Sequence, residues 1–229
     1  MNAHAPTPLL WKPASSPLPT TLTGRTVTLE PLNAEKHAPG LWRAIQGQEG
    51  LWTWLADGPY ASEPALREAL LQKESAAEAL FLAIVPTETR EAAGYASYMR
   101  IDPPHGVIEV GNILLSPSLQ RTTAATEAMY LMARHVFESL GYRRYEWKCN
   151  ALNQPSRRAA ERLGFSFEGI FRQHMVIKGQ NRDTAWFSML DSEWPARKAA
   201  YERWLQPDNF DSDGRQRIAL SALMPRGKG

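Results

Sequence analysis

The residues from Val107 to Leu140 constrain the fold most, because the hydrophobic periodicity changes within one continuous stretch. Val107–Leu115 is apolar and β-prone, with one acid, Glu109, inside it. A short polar turn follows, and from Ala124 the apolar residues recur at the spacing of an amphipathic helix. The pattern predicts a strand that leads through a turn directly into a helix, which Gly141 ends.

A strand that leads into a helix N-terminus can hold an anion. The first-turn N–H groups of a helix have no carbonyl partners, and the macrodipole places partial positive charge there. The amides of residues 121–126 are therefore expected to converge on one point, with the Arg121 side chain and three threonine hydroxyls nearby. This arrangement suits a phosphate or a pyrophosphate.

The remaining patterns predict an α+β domain around a largely antiparallel sheet with one parallel strand pair, flanked by helices. The parallel pair is expected because a strand at 144–149 follows the central strand and helix. Pro39 is expected to kink its helix or delay its start. The other predicted strands are 25–30, 80–85, 93–101, 169–177 and 184–190, with a hairpin turn at 178–183, and the helices are 33–45, one starting after Ser62, 153–163 and 194–205.

The chain is expected to comprise one domain at 21–205 with two extensions. Residues 1–20 contain five prolines and are interpreted as an extended or disordered arm, while residues 206–229 are interpreted as a loosely held tail. The start of the chain lacks the basic-then-apolar order of a signal peptide, which favours a cytoplasmic location.

Composition excludes several classes of function. The formal net charge of +2 gives no reason to expect nucleic acid, and no apolar run is long enough to cross a membrane. The single cysteine, Cys149, excludes an internal disulfide and fits a reducing compartment; on the apolar face of its strand it is interpreted as inert. His105 and His174 show no metal-type spacing and are interpreted as structural, so no metal is expected.

Two motifs resemble the GCN5-related N-acetyltransferase (GNAT) family. Gln120-Arg121-Thr122-Thr123-Ala124-Ala125 resembles its acyl-CoA loop, Gln/Arg-x-x-Gly-x-Gly/Ala, with Thr123 where the family usually has Gly. Asn153 to Ser156, followed by Gly164-Phe165, resembles the family's Asn-x-x-Ser/Ala…Gly-Phe segment. Glu168-Gly169 and the hairpin around Arg182-Asp183-Thr184 further resemble the subgroup that includes the ribosomal-protein N-terminal acetyltransferases.

The resemblance implies a GNAT-like sheet whose two parallel strands splay apart to admit acetyl-CoA as co-substrate. It implies that backbone groups of Leu114 and Leu115 pair with the pantetheine arm, and that Asn153 bonds to that arm or to an adjoining backbone group. A homodimer is plausible on the same grounds. The cofactor-binding residues that it implies are Leu114, Leu115, Gln120, Arg121, Thr122, Thr123, Ala124, Ala125, Thr126, Asn153 and Ser156.

Glu109 and Ser156 are the candidate catalytic residues. Glu109 is an acid in an apolar strand and is expected to share a face with Gly111, Ile113 and Leu115. It is either a base that accepts a proton from the attacking amine or one partner of an ion pair with a neighbouring Arg or Lys. The resemblance suggests that Ser156 lies near the thioester sulfur and donates to the departing thiolate, although a plain first-turn serine is the alternative. Many family members have Tyr as general acid where this chain has Ala160.

The expected function is direct transfer of acetyl from acetyl-CoA to a primary amine, either a protein N-terminus or a small amine such as an amino sugar, polyamine or drug. A catalytically weak CoA-binding sensor or interaction protein is the alternative, favoured by Thr123 and Ala160. Four aromatic residues either line an acceptor pocket or, as we favour, belong to the core: Trp52, Trp54, Tyr60 and Trp186.

Overall fold

The structure is a computed structural model that describes residues 9–225. Its strands are β1 (Leu22–Thr23), β2 (Val27–Pro31), β3 (Ala79–Pro86), β4 (Gly94–Asp102), β5 (Val107–Leu115), β6 (Arg144–Asn150), β7 (Ser166–Ile177) and β8 (Gln180–Leu190). Its helices are α1 (Ala34–Ile45), α2 (Glu63–Glu74), α3 (Thr123–Arg134), α4 (Gln154–Arg162), α5 (Trp194–Trp204) and α6 (Leu220–Leu223). No helix in the described range is long and apolar enough to cross a membrane.

The strands form one eight-stranded sheet in the order β1-β2-β3-β4-β5-β6-β8-β7. Every described pairing is antiparallel except that between β5 and β6, which confirms the predicted fold class. The parallel pair arises because α3 carries the chain back along the sheet, so that β6 runs in the same direction as β5. Helices α1 and α2 cover one face, and α3, α4 and α5 cover the other.

Local capping explains where the helices start. Asn33 accepts a hydrogen bond from the Lys36 N–H, so α1 begins at Ala34. The expectation that Pro39 delays this start is wrong, because the cap is already in place six residues before the proline. Thr122 caps α3 and Asn153 caps α4 in the same manner. α3 continues as a π turn over His135–Ser139, which accounts for the full helical stretch that the sequence predicts.

The hairpin of β7 and β8 is longer and its turn tighter than predicted. The turn has two residues, Lys178 and Gly179, with φ of +49° and +73°, so both are left-handed. This is the backbone that a two-residue turn matching the twist of the strands needs. The strands therefore pair down to Ile177 and Gln180, and the predicted six-residue turn at 178–183 is wrong.

Within the described range the arm is extended, which is one of the two predicted alternatives, and the Ala14 and Ser15 N–H groups donate to the carbonyls of Pro103 and Leu140. The Trp11 indole N–H donates to the Pro104 carbonyl at 2.8 Å and its ring covers Gly106. The tail is anchored to the domain at two buried residues, so the prediction that it is loosely held is wrong in the described range. Leu220 is fully buried and Asn209 is 1% exposed, hydrogen-bonded to two backbone carbonyls and one N–H. Apolar anchors outweigh the breaker-rich composition in both segments. Residues 1–8 and 226–229 lie outside the described range.

Candidate active site

The central feature of the site is a gap that opens between β5 and β6. The two strands pair from Val107 and Arg144 as far as Val110 and Trp147, and no further. Beyond that point β5 stays with β4, whereas β6 stays with β8. The parallel strands therefore splay as the resemblance implied, and their facing backbone edges are left for a ligand.

A β-bulge in β5 accompanies the splay. Tyr95 of β4 faces Leu114, but Ser97 faces Gly111, so two residues of β5 oppose one residue of β4. Asn112 takes the extra position with φ of +50°, and its amide donates to the Ser97 hydroxyl at 3.0 Å. The bulge puts Leu114, rather than Ile113 and Leu115, on the face of Glu109 and Gly111, which corrects the face predicted by simple alternation.

The loop that follows β5 forms the second part of the site. Gln120 donates to the Leu115 carbonyl at 3.0 Å, Arg121 has φ of +61°, and the Thr122 hydroxyl accepts from the Ala125 N–H at 3.1 Å. The N–H groups of Thr123 and Ala124 belong to the first turn of α3 and have no intrahelical acceptor. This helix terminus at the mouth of the gap fits a pyrophosphate group.

Two of the three threonine hydroxyls predicted near the anion are used by the protein itself. The Thr122 hydroxyl caps α3 and donates to the Leu119 carbonyl at 2.7 Å. Thr126 is 4% exposed, and its hydroxyl lies 3.2 Å from a guanidinium N–H of Arg162 and 3.3 Å from the Thr122 carbonyl. Thr123 is therefore the threonine placed to reach a ligand with its side chain.

The gap widens on the α1–α2 face into a cleft of about 250 Å³ that contains both candidate catalytic residues. Glu109 lies on its floor, and Asn153 and Ser156 border it from the N-terminus of α4. The structure thus brings together residues that are 47 positions apart in the sequence. Trp54 forms part of the opposite wall.

Glu109 is 2% exposed and forms the ion pair that the sequence analysis gave as the alternative to catalysis. Its Oε2 lies 2.7 Å from a terminal nitrogen of Arg100 and 2.9 Å from the Lys148 Nζ. Lys148 is also buried, contacts Glu146 at 2.6 Å, and lies 3.8 Å from the centre of the Trp186 ring. An ion pair and a proton-accepting role are compatible, because the carboxylate still borders the cleft.

Ser156 is held in a defined orientation by β6. Its Oγ accepts a hydrogen bond from the Trp147 indole N–H at 3.0 Å, and this contact does not use the hydroxyl proton. Its backbone N–H donates to the Asn153 side chain at 3.1 Å, so the predicted cap is confirmed. Ala160 is fully buried, and its methyl group places no proton donor in the cleft.

Cys149 borders the cleft but is a poor nucleophile. Burial raises the pKa of its thiol, an effect that a hydrogen bond with Ser156 and the charges of Arg182 and Arg157 only partly offset. A thiol held protonated attacks a thioester slowly. Cys149 is therefore not an activated nucleophile.

The four aromatic residues divide between core and cleft. Trp52 is 3% exposed and packs edge-on against Tyr60 with ring centres 5.0 Å apart, which confirms the core interpretation for this pair. Trp54 is 39% exposed and borders the cleft, so the core interpretation is wrong for it. Trp186 is half-buried and covers Lys148.

The two histidines make local contacts only. His105 lies 3.1 Å from the Asp102 carboxylate, and the His174 Nδ1 lies 3.0 Å from the Thr184 hydroxyl. Among residues 9–225 no group of three or more His, Cys, Asp or Glu side chains is arranged to hold a metal ion.

Sequence reasoning missed three cations around the cleft. Lys148 of β6 and Arg182 of β8 line the cleft, although in the sequence they look like ordinary surface residues of their strands. Lys178 stands at the hairpin tip, and its ammonium group donates to the carbonyls of Trp52, Asp57 and Gly58 at 3.0 Å each. This contact ties the hairpin to the loop that carries Trp54. The left-handed turn signal at Lys178-Gly179 was visible in the sequence, but its distant partner was not.

A splayed parallel pair beside an open helix N-terminus is the arrangement that the GNAT resemblance implies for an acyl-CoA site, and the gap holds a buried carboxylate. Comparison with known proteins agrees. The model of the acetyltransferase (GNAT) domain matches residues 26–166, and the chain belongs to this family. As a member of this family the chain is an acetyltransferase, and GNAT domains use acetyl-CoA.

The chain is similar to several members of the family. A crystal structure of a GCN5-related N-acetyltransferase from Brucella melitensis superposes with a TM-score of 0.91 at 50% identity, over 93% of this chain and 98% of that one. A probable acetyltransferase from Chromobacterium violaceum gives 0.79 at 40% identity, over 86% and 100%. "Putative ribosomal N-acetyltransferase YdaF" of Bacillus subtilis is 26% identical over 174 residues, 74% of this chain and 92% of that protein. The name of this relative is that of the subgroup that the hairpin motifs resemble.

Proposed function

We propose that the protein is an acetyl-CoA-dependent N-acetyltransferase that transfers acetyl directly to a primary amine, on a protein N-terminus or on a small molecule. The observation that carries this proposal is the end of β5–β6 pairing at Val110 and Trp147, beside a helix terminus with open N–H groups. The pantetheine arm would pair with the free edge at Leu114 and Leu115. The pyrophosphate would lie against Arg121, Thr123 and Ala124.

Glu109 is assigned as the proton acceptor for the attacking amine. It is the carboxylate on the cleft floor, and the acceptor reaches it past Trp54 and Arg100. An amine at neutral pH is mostly protonated, and it must lose a proton before or during attack on the thioester carbonyl. Ser156 is assigned as hydrogen-bond donor to the departing thiolate, and Asn153 holds the backbone of Ser156 in place.

The test is thiol release from acetyl-CoA in the presence of a panel of primary amines and N-terminal peptides. Glu109→Gln is expected to lower kcat at neutral pH by about 10²-fold or more while leaving the affinity for CoA unchanged. Glu88→Gln, in the exposed turn between β3 and β4, is the matched control. An unchanged rate in Glu109→Gln would show that Glu109 acts only through its ion pairs and does not accept the proton of the amine.

A CoA-binding sensor is the second candidate, and a specific observation favours it. Glu109 is committed to two cations, and Ala160 replaces the family's tyrosine. Binding of acetyl-CoA without thiol release on any amine would support the sensor. Turnover on one amine would refute it. A homodimer and a cytoplasmic location remain predictions, to be tested by light scattering and by fractionation.

A further inference from the structure

The charged side chains on the α1–α2 face of the sheet form an alternating chain. Its ion pairs join Arg100 to Glu109, Glu109 to Lys148, Lys148 to Glu146, Glu146 to Arg144 and Arg144 to Glu168, at distances between 2.5 and 2.9 Å. Three cations and three carboxylates take part, so the chain is neutral. Buried charges are tolerated when they are paired in this way.

Arg182 lies outside this balance. It borders the same cleft from β8, and it is close enough to Glu109, Arg100 and Cys149 to interact with them electrostatically. Within residues 9–225 its Nε is buried and has no hydrogen-bond partner. Burial of the guanidinium lowers the pKa of Arg182. A half-buried guanidinium with one buried N–H left unpaired is costly, and such a group in a cleft invites an anionic ligand.

The neighbouring acid does not serve as its partner. The Oδ1 of Asp183 accepts from the Gln173 N–H at 2.7 Å and from the Asn181 amide at 2.9 Å, which fixes the bulge in β7. The positive charge of the cleft also acts on His174. Burial lowers the pKa of this histidine first, and the charges of Arg100, Arg182 and Lys148 lower it further. The cleft therefore carries an excess of positive charge next to the proposed proton acceptor.

We infer that the acceptor amine also carries a carboxylate, which Arg182 binds while Glu109 receives the amine. This inference rests on the proposed N-acetyltransferase function and narrows its substrate class. A planar guanidinium binds a carboxylate through two parallel hydrogen bonds, so it fixes orientation as well as charge. The same positive excess excludes polyamines as preferred acceptors. The carboxylate can belong to a free amino acid or to an acidic side chain next to a peptide N-terminus.

The experiment compares acceptors that differ only in this group. The small-molecule pair is β-alanine and β-alaninamide, and the peptide pair is a pentapeptide that begins Ser-Asp against one that begins Ser-Asn. Thiol release gives kcat and KM for each acceptor. At least one pair is expected to favour the carboxylate member by about tenfold or more in kcat/KM, as a charge-assisted hydrogen-bond pair implies. The responding pair identifies the source.

Arg182→Gln is expected to remove this preference. It should raise KM for the carboxylate acceptor by about 10- to 100-fold and leave the neutral acceptor unchanged. Arg182→Lys should keep part of the preference and serves as a second variant if Arg182→Gln folds poorly by circular dichroism. Arg172→Gln, an exposed arginine of β7 in the same hairpin, is the matched control.

Three outcomes would overturn the inference. Equal kcat/KM within both acceptor pairs would show that the cleft does not select a carboxylate. If Arg182→Gln lowers kcat for neutral and acidic acceptors alike, Arg182 contacts the thioester rather than the acceptor. If Arg182→Gln weakens acetyl-CoA binding in calorimetry, Arg182 contacts a phosphate of the cofactor. If no amine is acetylated, the proposed function fails. Calorimetric binding of the same four acceptors to the CoA-loaded protein then decides the inference by itself.

Discussion

Replacement of Ser156 by alanine separates a chemical role from a structural one. The Ser156 Oγ accepts from the Trp147 indole N–H, and Trp147 is 6% exposed. Ser156→Ala therefore leaves a buried donor without an acceptor, which costs about 1–3 kcal/mol of unfolding free energy. It also removes the donor proposed for the departing thiolate. Because a thiol with pKa of about 8.5 is already a good leaving group, we expect kcat to fall by only about 10- to 100-fold, below or near the lower end for general acids.

The two effects are measured separately and in two backgrounds. Urea denaturation gives the unfolding free energy, and thiol release at saturating acetyl-CoA gives kcat. Trp147→Phe removes the indole donor, so Ser156→Ala added to it is expected to cost almost no stability. The loss of kcat should persist in this background, because it does not depend on the indole.

The chemical role of Ser156 is refuted if kcat is unchanged, or if its loss disappears together with the stability loss in the Trp147→Phe background. Either result would make Ser156 a partner for the indole only. Asn153→Ala is a useful comparison, since it removes the α4 cap, costing about 1 kcal/mol, without touching the hydroxyl.

Three further predictions address the frame around the site. Glu127 of α3 is 6% exposed and accepts hydrogen bonds from the backbone N–H groups of Arg25 and Thr26 at 2.8 and 2.7 Å. Glu127→Gln should therefore lower the unfolding free energy, measured by urea denaturation, by about 2–4 kcal/mol. A loss below about 1 kcal/mol would contradict this prediction. Leu220→Ala should lower the unfolding free energy by about 2–5 kcal/mol in the same assay, because the leucine side chain is fully buried. If the tail were not packed on the domain, the unfolding free energy would not change. Burial raises the pKa of Asp57, but hydrogen bonds from Lys73 and Tyr60 outweigh it and hold that pKa below its usual value. The contacts of the Asp57 carboxylate with Lys73 and Tyr60 therefore stabilise the loop above about pH 4, and this stabilisation is lost as the pH falls through the pKa of Asp57 in the folded protein. Tryptophan fluorescence should show an acid transition that Asp57→Asn lacks.

The order of elements and the motif-bearing loops could be predicted from the sequence because they are encoded locally. Asn153 caps its helix through a side chain three residues from its partner, and the change of period after β5 is visible in a short window. The family motifs then located the cleft, since both lie at helix starts on either side of the splay.

What the sequence did not show depends on contacts between distant residues. The pairing of Glu109 with Arg100 and Lys148 needs three strands in register, and neither cation stands out in its own segment. The order of the tail depends on Leu220 fitting against the domain, which polar composition conceals. The bulge at Asn112 had no signal beyond a residue type that tolerates left-handed backbone.

The extra residue at Asn112 reverses the parity of β5. Glu109 and Leu114 are an odd number of residues apart, yet the first points into the cleft and the second joins the core beneath α1 and α2. A regular strand cannot do both, because its side chains alternate strictly. Excision of this one asparagine would exchange inside for outside at every position from Ile113 to Leu115, and the edge offered to the pantetheine arm would move by one residue while the carboxylate stayed in place.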